Sequence, residues 1–356
     1  MTEHTIDDNA YNKMRFDIFE LSDTISEELY DSTTMKYVKC HICKNDKFSH
    51  EKKLGSFDIS KCLKCNTRSV NPRPIESTLK TFYDLFYEQI PFIKNFGINH
   101  TMGYKSDAGN KNKKIVDMIK TNFTVDEEIK ILEIGCNRPN KNKLLQLSNE
   151  LCDYEKRKIY GIDLSDIEKY YDKELYNKHK VYISGNTTLE NLSESDFDIV
   201  IMYDVIEHVY DVTVLMDQIK KKLRGENSML MFSIPNKNSL SYILDHDEQK
   251  CIILNTLVPM QHLNEFSLKN MGLFAYLNGF KILTLDCPGS LDVQSIAGLE
   301  LTDLNDPHNP NDQNSRDLVE IRKLFAKLND QDKLLMQKCI NMTKTSTYVE
   351  VYMALL

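Results

Sequence analysis

The chain reads as an α/β protein: a doubly wound, mostly parallel sheet of seven strands behind a small N-terminal metal-binding module. Three observations carry that expectation. Short apolar runs alternate with helical spacings across residues 126–356; the first run, Ile129 to Ile134, ends in a glycine, Gly135; and two Cys-x-x-Cys pairs stand upstream.

Residues 1–37 carry few apolar side chains at regular spacing and are expected to form a loosely attached helical lead. Residues 38–74, "VKCHICKNDKFSHEKKLGSFDISKCLKCNTRSVNPRP", form a separate unit. A stretch this poor in large apolar residues needs a staple to order it. Cys40, Cys43, Cys62 and Cys65 supply one, since each pair can grip one tetrahedral ion from a tight turn with hairpin strands between. A closed four-thiolate site leaves no open position for water, so structural zinc with a folding role is expected. Residues 75–125 read as a helical linker or lid bearing Tyr83, Phe86, Tyr87, Phe92 and Phe96. Core packing is one reading of these rings, and a lid over a cleft is the other.

Residues 126–356 hold the alternating domain. Strands are expected at Ile129 to Ile134, Lys158 to Ile162, Val181 to Ser184, Asp198 to Met202, Met229 to Ile234, Phe280 to Leu285 and Thr347 to Met353. Val212, Leu215, Ile219 and Leu223 line one face of a helix between them. Ser165 and Glu168 have the spacing of a capping box before another helical stretch, "IEKYYDKELY", and residues 302–317 are a polar loop. In such a sheet a ligand binds at the carboxyl ends of the strands.

Composition excludes several functions. The 45 basic and 53 acidic residues give a formal charge of −8, which repels a phosphate backbone and argues against bulk nucleic-acid binding. The polar, acidic opening "MTEHTIDDNA" does not read as a secretory signal, and no run of about 18 apolar residues suggests a membrane span. A soluble cytoplasmic protein is expected. In a reducing compartment the scattered Cys136, Cys152, Cys251, Cys287 and Cys339 act as small hydrophobes.

The candidate site begins at Gly135, where a missing side chain permits close approach of a ligand. Glu133 lies inside an apolar strand, where a carboxylate needs a positive or hydrogen-bonding partner. Asp163, in "YGIDLSD" at the end of the second strand, can accept both hydroxyls of a ribose or cap the following helix.

"ILEIG", "YGIDLS" and "FDIVIMYDVIEHV", in this order, resemble the class I S-adenosylmethionine-dependent methyltransferases, whose sheet is Rossmann-like. The upstream cysteine pairs with "NPRP", and the later "SIPN", "PMQHLNEFS", "NGFKI" and "PGSLDV", resemble a bacterial branch with an N-terminal zinc-ribbon-like module. The resemblance implies S-adenosyl-L-methionine as cofactor, with Glu133, Gly135, Cys136 and Asn137 at its methionine part. It further implies Asp163 with Leu164 at the ribose, Asn186 or Thr187 at the adenine, and Tyr203 and Asp204 beside the cofactor. Where this family usually carries further glycines after Gly135, this chain has Asn137, Arg138, Pro139 and Asn140. Asparagine tolerates left-handed angles, and Pro139 can begin a helix.

Transfer to a hydroxyl requires alignment and a base, for which Asp204, His208 and His262 are the candidates. Asp204, Glu207, His208 and His262 also have the types and spacing to hold a divalent cation, as in the small-RNA and some quinone O-methyltransferases that this stretch resembles. The branch resemblance suggests O-methylation of a small polar acceptor, a sugar or nucleotide-linked sugar in surface polysaccharide synthesis. The competing expectation is a lapsed methyltransferase-like scaffold whose cysteine module docks a partner. A dinucleotide dehydrogenase is disfavoured because no G-x-G-x-x-G follows the first strand.

Overall fold

The computed structural model describes residues 8–89, 111–136, 143–168, 171–240, 257–289, 292–297 and 323–356. The first described element is helix α1 (Asp8–Glu28), followed by strands β1 (Met35–Lys36), β2 (Phe48–Leu54), β3 (Phe57–Cys62), β4 (Arg68–Val70) and β5 (Arg73–Pro74). β2, β3 and β4 form an antiparallel sheet, and β1 pairs with β5. From residue 17 on, the lead is not the loose attachment that its polar sequence suggests. Ile18, Leu21, Ile25 and Leu29 recur at helical spacing and pack with Phe57 and Ile59 of β3. Glu27 adds a polar clamp, accepting the Ser56 amide at 2.8 Å and its hydroxyl at 2.6 Å.

Helix α2 (Glu76–Gln89) buries Leu79, Phe82 and Phe86 along one face. The expected neighbours Phe92 and Phe96 lie outside the described residues.

After a helical stretch over 111–122 come strands β6 (Lys130–Ile134), β7 (Lys158–Ile162), β8 (Val181–Ser184), β9 (Ile199–Tyr203), β10 (Met229–Pro235), β11 (Phe280–Asp286) and β12 (Tyr348–Leu355). Each lies within two residues of its expected bounds. They form one sheet in the order β11-β12-β10-β9-β6-β7-β8. Neighbours from β8 through β10 are parallel, whereas β12 runs antiparallel between β10 and β11, so the sheet is mixed. The strands β9 and β10 are apolar almost throughout because both faces are covered.

The helices among them are α3 (Lys143–Glu150), α4 (Lys173–Lys178), α5 (Val212–Lys222), α6 (Leu268–Leu277), α7 (Asp292–Ala297) and α8 (Asp330–Met342). α5 begins where Asp211 accepts the amides of Thr213 and Val214, and it buries Val212, Leu215, Met216 and Ile219. The capping box at Ser165 and Glu168 does not form: the Ser165 amide donates to Asp163, and Glu168 accepts the amide of Gly185. The helix starts later, at Asp172, whose carboxylate accepts Leu175 N–H. The polar loop 302–317 lies outside the described residues. Among the described residues no helix is long and apolar enough to cross a membrane.

One face of the sheet packs on Leu144, Leu147, Ile115 and Ile119; the other packs on α5, α6 and three of the module's cysteines, Cys40, Cys43 and Cys62. The cysteine unit therefore shares a core with the sheet and is not separate from it.

Candidate functional site

A cavity of about 550 Å³ opens at the carboxyl ends of β6, β7 and β9, closed on one side by α2. Its floor is the turn after β6. Gly135 has φ +73°, and a Cβ there would lie 2.5 Å from Val205 Cγ2, so only glycine fits. The amides of Gly135 and Cys136 both donate to Ile162 O, which binds this turn to β7. Cys136 is buried, and burial pushes its thiol well above the ordinary value. Asn137, expected beside it, lies outside the described residues.

Glu133 has the partner its burial demands: Lys143 Nζ donates to Oε1 at 2.6 Å, and the same ammonium lies 4.0 Å from the Tyr203 ring centroid. Lys111 lies 4.6 Å over the same ring. Both lysines line the cavity, and the sequence offered no signal to separate them from the surface lysines around them.

Asp163 lines the opposite wall and accepts Ser165 N–H at 2.9 Å through Oδ1, so it also serves as the local turn cap. Leu164, 52% exposed, stands beside it on the rim. Thr187, Thr188 and Leu189 continue that wall, whereas Asn186 is exposed with φ +49° and outside the cavity lining.

At the end of β9, Asp204 adopts φ +55°; its amide donates to Ser233 Oγ, and Ser233 Oγ–H donates to its carboxylate at 2.7 Å. A short 3-10 turn, Ile206–His208, then aims His208 into the cavity and Glu207 into the core. Glu207 is 1% exposed, and its Oε2 has no hydrogen-bond partner among the described residues. Burial, and next the Asp204 charge, push its carboxyl well above the ordinary range.

Tyr83 from α2 reaches His208. Its hydroxyl lies 2.8 Å from Nδ1 and 3.0 Å from Gln261 O. A carbonyl only accepts, so Tyr83 donates to Gln261 and receives Nδ1–H, leaving Nε2 as the basic nitrogen. Nε2 is 3.7 Å from Glu207 Oε1. Burial pulls His208 down to about 4, so the ring is neutral at pH 7. His262 does not line the cavity; it packs edge-on behind His208 with ring centroids 4.7 Å apart. Glu207, His208 and His262 bring one donor atom each within 4.8 Å of one another, and Asp204 is not part of that group.

The four module thiols, Cys40, Cys43, Cys62 and Cys65, also lie within 4.8 Å of one another, with 3.5 Å for the Cys40–Cys65 and Cys43–Cys62 pairs. Tetrahedral bonds of ~2.3 Å to zinc would space the sulfurs by about 3.8 Å, within that range. Lys44 and Asn66, each just after a pair, take left-handed angles and close two matching knuckles.

The module grips the segment that bears His262. His41, inside the first knuckle, meets Glu265 O at 2.6 Å. Arg68 donates to the Glu265 carboxylate at 2.6 and 2.9 Å, and Lys237 meets its other oxygen at 2.7 Å. Burial alone would raise Glu265, but these two cations hold it below the ordinary value. Arg73, 1% exposed, donates to Asn264 Oδ1 and Tyr210 O. On its far side the segment donates the amides of Leu263 and Asn264 to Glu207 O.

A family model described as a methyltransferase domain matches residues 107–285. Among solved structures, an S-adenosylmethionine-dependent methyltransferase from Clostridium acetobutylicum is 12% identical, covering 76% of this chain and 98% of that one, with TM-score 0.41. The Haemonchus contortus phosphoethanolamine N-methyltransferase 2, solved with phosphomonomethylethanolamine and S-adenosylhomocysteine, is 14% identical, covering 69% and 52%, with TM-score 0.41. Curated proteins give no match.

Proposed function

The chain belongs to the methyltransferase-domain family and is an S-adenosylmethionine-dependent enzyme, and from that premise we propose that it methylates a hydroxyl of a small polar acceptor, a sugar or nucleotide-linked sugar. The observation that carries the reading is that Glu133, Gly135 and Asp163 open onto the same cavity as Asp204 and His208.

The cavity suits the cofactor. It joins a side-chain-free turn, acidic groups at two strand ends and an apolar wall at Leu164 and Leu189. Glu133, Gly135 and Cys136 would face the methionine part, Asp163 and Leu164 the ribose, and Thr187 to Leu189 the purine. When bound, the cofactor supplies an electrophilic methyl group on a sulfonium.

The chain's own residues would prepare the acceptor. His208 is neutral and its Nδ1 is committed to Tyr83, so Nε2 takes the hydroxyl proton. Asp204, held by Ser233, is the second polar group available to orient the acceptor. His262 acts from behind, fixing the His208 ring by its edge-on packing. A second reading, a divalent cation on Glu207, His208 and His262, is favoured by their convergence within 4.8 Å. Structural zinc on Cys40, Cys43, Cys62 and Cys65 completes the proposal, supported by the sulfur spacing.

Calorimetry with S-adenosylmethionine and S-adenosylhomocysteine, beside Asp163→Ala, is the first test. Micromolar binding lost in the variant supports the site, and a sugar-acceptor screen with and without Mg²⁺ then separates the base from the cation reading. A folded, zinc-loaded protein that binds neither ligand would sink it.

A further inference from the structure

We infer that the acceptor is a vicinal diol: His208 Nε2 takes the proton of the hydroxyl that is methylated, and the uncommitted carboxylate oxygen of Asp204 binds the hydroxyl on the next carbon. Ser233 is the positioning residue that aims Asp204. The inference rests on the reading of His208 as the base for a hydroxyl acceptor.

An aspartate at φ +55° is tolerated, but it persists only where its surroundings fix it. Ser233 fixes Asp204 from β10, where it lies abreast of Tyr203, the residue before Asp204. Its Oγ accepts the Asp204 amide at 3.0 Å and donates to Oδ1 at 2.7 Å, so one hydroxyl holds both the backbone and the side chain of the acid. Ser233 is the one polar residue of β10, "MLMFSIP", and is 0% exposed. A buried hydroxyl is costly unless it is bonded, and the bonds that compensate this one go to Asp204. On the other side Val205 packs against Gly135, where a Cβ would stand 2.5 Å from Cγ2. Asp204 is thus pinned between β10 and the turn after β6.

Asp204 is exposed and lines the cavity. With Oδ1 committed to Ser233, Oδ2 has no hydrogen-bond partner among the described residues. An ionised carboxylate only accepts. His208 Nε2, in the wall of the same cavity, also only accepts, because the ring's one proton goes from Nδ1 to Tyr83. Glu207 Oε1, at 3.7 Å, is too far to take a hydrogen bond with it. Two acceptors on one cavity call for two donors, and a single hydroxyl brings only one proton. Hydroxyls on adjacent carbons bring both, and a sugar ring carries such pairs. The reacting hydroxyl gives its proton to Nε2 as its oxygen bonds the methyl carbon, and the methyl–sulfur pair stays on sulfur to leave a neutral thioether. The neighbouring hydroxyl keeps its proton and only binds.

The test uses methyl glycosides of mannose, galactose and rhamnose as acceptors, with NMR to locate the new methyl group. For each glycoside methylated, analogues deoxygenated at each carbon beside the methylated position are compared with the parent by kcat/KM. Removing one of these neighbours should lower kcat/KM on the order of 10- to 100-fold. Asp204→Ala should shrink that ratio to about twofold or less, and Ser233→Ala should shrink it at least about fivefold, each with S-adenosylhomocysteine affinity within about twofold of wild type. Adding Ser233→Ala to Asp204→Ala should leave the ratio where the single variant put it. A serine with a structural role alone would slow parent and analogue equally, and an unchanged ratio overturns its positioning role. Parent and analogues methylated alike by the wild type overturn the diol and leave the hydroxyl reading standing. A fall in S-adenosylhomocysteine affinity of Asp204→Ala beyond that range assigns the acid to the cofactor and also overturns the inference. Binding of S-adenosylhomocysteine with no methylation of any glycoside overturns the sugar-hydroxyl reading and the inference with it.

Discussion

The hydroxyl of Tyr83 and Nδ1 of His208 meet at 2.8 Å although 125 positions separate them in the chain. Tyr83 precedes the family-matched residues 107–285 and His208 lies within them. The lead-in helix therefore sets the tautomer of the domain's histidine.

Tyr83→Phe tests that relationship. Without the hydroxyl, Nδ1 loses its partner and the basic nitrogen is no longer fixed as Nε2. Transfer should slow on the order of tenfold while S-adenosylhomocysteine affinity stays within about twofold. ¹⁵N spectra of the His208 ring should change from one tautomer to a mixture. An unaltered ring spectrum would remove Tyr83 from this role.

Glu207 predicts a pH dependence of stability. Its folded pKa is raised by burial, so the native state holds a proton that the unfolded chain releases near pH 4.5. The contribution is complete below that value and is lost as pH rises toward the folded pKa. Above pH 7.5, where His208 is largely neutral folded or unfolded, Glu207 should lower stability by at most about 1.4 kcal/mol per pH unit until the folded pKa is reached. Glu207→Gln should flatten the decline between pH 7.5 and 9 in urea titrations. A slope unchanged by the substitution means the carboxyl is already ionised in the fold.

With zinc on the cysteine module as proposed, its removal should reach the histidines. His41 and Arg68 hold Glu265 from the knuckles, and the same segment presents Leu263 and Asn264 amides to Glu207. Chelation, or Cys62→Ser, should raise amide exchange over residues 262–266. S-adenosylhomocysteine affinity should remain within about twofold, because the turn at Gly135 and the wall at Asp163 sit away from the knuckles. Exchange that stays slow after verified metal loss contradicts the coupling.

Gly135→Ala introduces a methyl 2.5 Å from Val205 Cγ2 at a left-handed φ. The strain should cost on the order of 1–3 kcal/mol and displace Val205 toward Asp204. Cofactor affinity should fall by more than tenfold, whereas the same substitution at exposed Gly272, with no atom within 4 Å, should leave binding unchanged.

The strands were legible because each is a short apolar run closed by turn residues, and burial on both faces of a parallel sheet keeps that signal clean. Glu133 was legible as a buried acid, but Lys143 as its partner was not, because nothing local marks one lysine among many as buried. Tyr83 read as aromatic surface: its function depends on a partner 125 positions away, and no periodicity encodes that. The cap at Asp172 was missed in favour of Ser165 and Glu168, whose spacing is right but whose donors and acceptors are drawn off by Asp163 and Gly185. His262 read as a site residue from its neighbours in sequence, and packing put it one layer behind His208.

The fully buried Arg73 makes the matched domain impossible to excise cleanly. Cutting the chain to residues 107–285 would leave Asn264 and the Tyr210 carbonyl without that guanidinium, Glu265 without Arg68, and β10 without β12 along its edge. Chimaeras that exchange the methyltransferase segment between relatives will therefore work only when the cysteine knuckles and the 258–266 stretch are inherited from the same parent.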